Sequence, residues 1–169
     1  MSTNNKTLNL LSDLVKYKSI TPDVTECQKY IEDYLAAISF RTEYVKYEDV
    51  QNMIATYGEG SPCLAFIGHT DVVPPGDLSK WKSDPYCLQQ DNGMLIGRGT
   101  ADMKGGIACF MSAVREFLEE GNAVKGSIKF ILTADEEGDA VNGIRKIVDQ
   151  DIFKDNDLDY CLVGEPSSS

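Results

Sequence analysis

Three short stretches of this chain read as buried strands: Cys63 to Ile67 is apolar throughout, Tyr160 to Val163 has almost no polar content, and Ser127 to Thr133 (SIKFILT) reads as a central strand. A strand with one wet face alternates apolar and polar side chains; a strand without that alternation expects cover on both faces. Between the first two lies a helical pattern over about Lys104 to Glu120, with Ile107, Phe110, Met111, Val114, Phe117 and Leu118 on one face and Gly121 as its stop. Between the second and third, a shorter helix carrying Val141, Ile144, Ile147 and Val148 leads into an acidic turn. Parallel neighbours need crossovers, and crossovers are usually helical, so this β, α, β, α, β order predicts an α/β fold with a mostly parallel central sheet flanked by helices. The 169 residues are the length of one domain, which excludes two large ones.

The first half is built differently. Leu8, Leu11, Leu14 and Val15 stand at helical spacing, and a second helix over about Val24 to Ile38 carries Cys27, Ile31, Tyr34, Leu35 and Ile38 on one stripe, the two being separated by Thr21-Pro22. Short strands follow around Tyr44 to Tyr47 and Met53 to Ala55. Asp91-Asn92-Gly93, in the middle of Cys87 to Ile96, predicts a tight hairpin, because Asn-Gly accepts positive φ.

Charge narrows the partners. With 27 acidic against 16 basic side chains the formal charge is −11, which repels nucleic-acid phosphates and anionic membranes. No run approaches the roughly 18 apolar residues of a membrane span, and the amino terminus has no secretory pattern. The five cysteines are an odd number without a CxxC pair, and four lie in apolar runs where a free thiol acts as a small hydrophobe. These features fit a reducing compartment and predict a cytoplasmic protein that binds a small molecule.

The chemistry gathers where the apolar strands end. Gly68-His69-Thr70-Asp71 follows the first, Ala134-Asp135-Glu136-Glu137-Gly138 the second and Gly164-Glu165-Pro166 the third, while Asp102 precedes the long helix in GRGTADMKGG. Ligands of open α/β sheets bind at the carboxyl ends of parallel strands, so these distant segments are expected to converge. His69, Asp71, Asp102, Glu136, Glu137 and Glu165 together would place five carboxylates and the sole imidazole in a small volume, and such crowding needs a cation. The N/O donor set suits zinc or a related first-row ion, and two ions are expected. Each residue also has an ordinary reading: His69 as a hydrogen-bonded turn residue, Asp102 as a helix cap, Glu136-Glu137 as a solvated pair, Glu165 as a turn before Pro166. Cys63 and Cys161 suggest core packing rather than a thiolate zinc site, and Trp81 a loop anchor.

GHTDVVPPGD (68–77), Trp81 with DPY (84–86), DNGMLIGRGTADMKGG (91–106), ADEEG (134–138) with AVNG (140–143), and LDYCLVGEPSS (158–168) resemble the M20 family of zinc amidohydrolases over nearly the whole chain. The resemblance implies the amino-terminal part of a zinc-aminopeptidase-like catalytic domain with two Zn2+ per intact site, Co2+ being an alternative. It further implies that His69 binds one ion and Asp71 orients it, that Asp102 bridges both ions and is followed by a cis peptide to Met103, that Glu136 is the general base, that Glu137 binds the other ion and that Glu165 completes the site of His69. The implied reaction is amide hydrolysis of N-succinyl-LL-2,6-diaminopimelate; N-acetylornithine or another acylated amino acid is the alternative substrate, and a non-catalytic metal-binding module the alternative role.

Family members continue into a smaller dimerisation domain and a return segment carrying a second ligand histidine. With one histidine, residues 1–169 are expected to form a single incomplete catalytic domain holding one complete metal site, with weak activity or none. The intact family enzyme is a homodimer, and self-association of this chain is expected through surface that the missing parts would cover.

Overall fold

The computed structural model describes residues 3–150 and 157–167, so most of the acidic turn before the last strand lies outside the described residues. Helices α1 (Thr3–Lys16) and α2 (Thr25–Ala36) are followed by strands β1 (Arg41–Tyr47), β2 (Val50–Gly58) and β3 (Cys63–His69). A small hairpin of β4 (Gln89–Asp91) and β5 (Met94–Ile96) precedes α3 (Gly105–Glu119), β6 (Ser127–Thr133), α4 (Ile144–Asp149) and β7 (Tyr160–Val163). Among the described residues five strands form one sheet in the order β1-β2-β6-β3-β7. The alternation in the second half yields parallel pairing of β3 with both β6 and β7, while β1 with β2 and β2 with β6 pair antiparallel, so the sheet as a whole is mixed.

Helices α1, α2 and α3 contribute to a core on one face of the sheet, where Leu14, Ile31, Leu35, Ile107 and Met111 meet Met53, Phe66, Phe130 and Leu132. Phe66 stacks on Phe110 with ring centroids 4.8 Å apart, and Phe130 stands edge-on to Phe110 at 5.1 Å. The opposite face is thinner: Ala65, Ile131 and Ile147 form its core, flanked by Ile67, Ile144 and Leu158. β3 and β6 are therefore covered on both sides, as the apolar run of β3 and the central place expected for β6 predict. In the hairpin, Asn92 and Gly93 both take positive φ, 49° and 80°.

Several sequence expectations change. α4 begins at Ile144, so Val141 lies outside it, and Val148 is exposed; Ile147 is the one fully buried member of that stripe. The reason is Asp135, whose carboxylate accepts the N–H groups of Asp139, Val141 and Asn142 and holds that segment as a loop. Phe117, one heptad beyond Phe110, is exposed at the end of α3. Among the described residues β7 is an edge strand paired with β3 alone, and Tyr160, Leu162 and Val163 are 65%, 47% and 54% exposed. Cys161 is accordingly exposed rather than packed in a core, as is Cys109 on the outer side of α3, whereas Cys27 and Cys63 are buried. All five cysteines are free thiols. Among the described residues no helix is long and apolar enough to cross a membrane.

Candidate metal centre

Parallel register brings the strand ends together. His69 is opposite Thr133 across β3 and β6, and Ile67 is opposite Val163 across β3 and β7, so the chain leaves all three strands at one edge of the sheet. The Asp102 turn reaches the same edge because α3 packs tightly there: a Cβ on Gly106 would stand 2.7 Å from the Gly164 carbonyl oxygen, a contact that glycine alone permits. The expected cis peptide between Asp102 and Met103 is present.

At the centre stands His69, 1% exposed. Its Nδ1 lies 2.9 Å from the Asp71 main-chain oxygen and 3.5 Å from Asp71 Oδ1, so the Asp71 carbonyl takes the Nδ1 proton while the buried carboxylate adds negative charge behind the ring. Nε2 faces the mouth of the site, 2.9 Å from Asp102 Oδ1, 3.4 Å from Glu165 Oε1 and 3.7 Å from Glu136 Oε2. Among the described residues two groups of three could hold an ion, His69 with Asp102 and Glu165, and His69 with Glu136 and Glu137, the donor atoms of each lying within 4.8 Å of one another. Ligands about 2.0–2.2 Å from a tetrahedral zinc are separated by roughly 3.3–3.6 Å, so the His69, Asp102 and Glu165 donors need only small adjustments to close on one ion. Asp102, Glu136 and Glu165 keep 50%, 50% and 39% of their side-chain surface, which leaves the site open to a ligand.

Electrostatics favour a cation at this point. Burial pushes the Glu137 and Glu165 carboxyls up, and the Asp102 charge adds to both shifts. Burial works against the His69 imidazolium, but Asp71 and then Asp102 outweigh it and lift the group to about 9. A proton on Nε2 therefore stands where a metal would, between the same carboxylates.

Each of the six residues singled out from the sequence reaches this edge. Glu137 enters a group with His69 and Glu136, and its backbone N–H donates to Asp71 Oδ2 at 3.1 Å. Neither Cys63 nor Cys161 joins a candidate metal group among the described residues, and Trp81 anchors its loop by donating from Nε1 to the Pro75 oxygen at 2.9 Å. Sequence reasoning missed two buried supports. Lys104 is 1% exposed, and its Nζ donates to the Leu14 and Tyr17 carbonyls at the end of α1, 3.0 and 2.7 Å away. Gln28 is fully buried on α2; its place on the face of Ile31 and Leu35, a polar residue inside an apolar stripe, was the available signal.

The family model for peptidase family M20/M25/M40 matches residues 65–169. A succinyl-diaminopimelate desuccinylase of Coxiella burnetii is 45% identical over 164 residues, covering 97% of this chain and 44% of the relative, so the chain spans less than half the length of that protein. Human carnosine dipeptidase 1 superimposes with a TM-score of 0.83 at 22% identity, covering 97% of this chain and 39% of that one. A dinuclear metal-binding peptidase of the M20 family from Bacillus subtilis superimposes with a TM-score of 0.64 at 19% identity, covering 95% and 42%.

Proposed function

Because the chain belongs to peptidase family M20/M25/M40, we propose that it is the amino-terminal part of the catalytic unit of a metal-dependent amide hydrolase. The intact protein would cleave N-succinyl-LL-2,6-diaminopimelate to succinate and LL-2,6-diaminopimelate, as the name of its Coxiella relative suggests. The observation that carries the reading is His69 Nε2 set between Asp102 and Glu165, with the buried Asp71 behind the ring. When bound at this edge, zinc, or cobalt in its place, supplies Lewis acidity to the scissile carbonyl.

The chain's own residues divide the remaining work. Asp71 holds one His69 proton on Nδ1, so Nε2 is the nitrogen that would ligate an ion once its own proton is displaced. Glu136 Oε2, in the open mouth of the site, is placed to take a proton from the attacking water and return it to the departing amine. Glu137 extends the donor set towards a second ion, in keeping with the dinuclear centre of the Bacillus neighbour. On this reading the intact protein would be a cytoplasmic homodimer whose remaining residues would bring a second histidine to the site.

Two measurements test this reading. The chain should take up one tight zinc, and H69A should lose it; unchanged stoichiometry in H69A refutes the site. The intact protein should release amine faster from N-succinyl-LL-2,6-diaminopimelate than from N-acetylornithine, with E136Q slower by about 10²–10⁴-fold. Preference for the acetylated substrate overturns the assigned specificity.

A further inference from the structure

We infer that Gln28, on α2 and outside the cluster of charged groups, is a positioning residue that sets the His69 to Asp71 turn for metal binding. Its side chain is fully buried, and Nε2 donates towards three acceptors: the Gln51 carbonyl at 3.1 Å, Thr70 Oγ1 at 3.3 Å and the Leu132 carbonyl at 3.4 Å. Oε1 accepts from Gln51 Nε2 at 3.2 Å. The opposite amide orientation would aim Oε1 at two carbonyl oxygens, so the neighbours themselves fix which way the group points.

Thr70 is the residue between His69 and Asp71. Its Oγ1 donates to the Thr133 carbonyl at 3.1 Å, and its N–H reaches the same oxygen at 2.9 Å. With the hydroxyl proton spent on Thr133, the Thr70 oxygen lone pairs are what Gln28 holds. One amide thus joins α2, β2, the end of β6 and the turn that carries the imidazole and the carboxylate behind it. Removing a polar group that supports a metal ligand from outside typically weakens binding by about 10–100-fold. The inference rests on the metal reading given above.

The test is zinc affinity of this chain, measured by competition with a chromogenic chelator, for wild type, Q28L, T70V and the double variant. Each single variant is expected to bind one zinc with a Kd at least about tenfold higher. The double variant should fall well short of the product of the two, because both substitutions break the hydrogen bond between Gln28 and Thr70. A merely structural role would lower the unfolding midpoint of the metal-free chain and leave the Kd of the folded chain alone. Folded single variants with a Kd within about twofold of wild type, or multiplicative effects in the double variant, overturn the inference. If Q28L fails to fold, T70V alone decides by the same criterion. A wild-type chain that takes no zinc refutes the metal reading and this inference with it.

Discussion

Zinc uptake by this chain should expel a proton from His69, and the pH dependence follows from the geometry. In the metal-free protein the imidazolium is held up to about 9 against the cost of burial by Asp71 and Asp102, and its Nε2 proton lies between Asp102 and Glu165. An ion ligated there requires the neutral ring. At pH 7 about one molecule in a hundred has that ring, and at pH 8 about one in ten, so apparent affinity should rise about tenfold between them. The proton's hold at pH 7 amounts to about 3 kcal/mol of binding free energy. Calorimetric titration with zinc at pH 7, in buffers of different ionisation enthalpy, should give a slope of about one proton released per ion. An affinity flat from pH 7 to 8 with no proton release would refute the placement of the ion at Nε2.

Other outcomes follow from the same groups. In the zinc-free chain, His69 has its folded pKa raised to about 9, above the ordinary value, so the folded state binds the proton more tightly than the unfolded state. That contribution, about 3 kcal/mol, is complete below roughly pH 6.5 and lost as pH rises through about 9. Urea denaturation with a chelator present should show it, and equal stability at pH 6 and pH 9.5 in the H69A-corrected difference would contradict it. K104M leaves the Leu14 and Tyr17 carbonyls at the end of α1 without their buried donor. A loss of about 2 kcal/mol is expected, lowering Tm by roughly 4–8 °C; an unchanged Tm would show that the two carbonyls find other partners.

The part of the molecule legible in its sequence is the part where local pattern and long-range packing agree. Unbroken apolarity marks β3 as a strand covered twice and the βαβ rhythm marks β6 as central, and the residues after each strand mark the edge where His69, Glu136, Glu137 and Glu165 meet. Apolarity says that a surface wants cover, not whether cover is supplied; hence Tyr160 to Val163 reads as a buried strand and stands exposed at the sheet edge. The loop before α4 escaped because its organiser is a side chain, Asp135, competing for backbone donors that a helix would otherwise use. Gln28 and Lys104 were invisible as supports because the groups they hold, Thr70 and the end of α1, are distant in sequence.

The two flanks of the His69 group differ in mechanical footing. The imidazole stands on a strand gripped by neighbours on either side, whereas Glu165 hangs from a border strand with a single neighbour. An ion shared by the two would act as a rivet, transmitting the firmness of the interior to the margin. Metal loading should therefore slow amide exchange in Cys161 to Gly164 far more than in Phe66 to Gly68, so the least secured stretch of backbone becomes the reporter of occupancy.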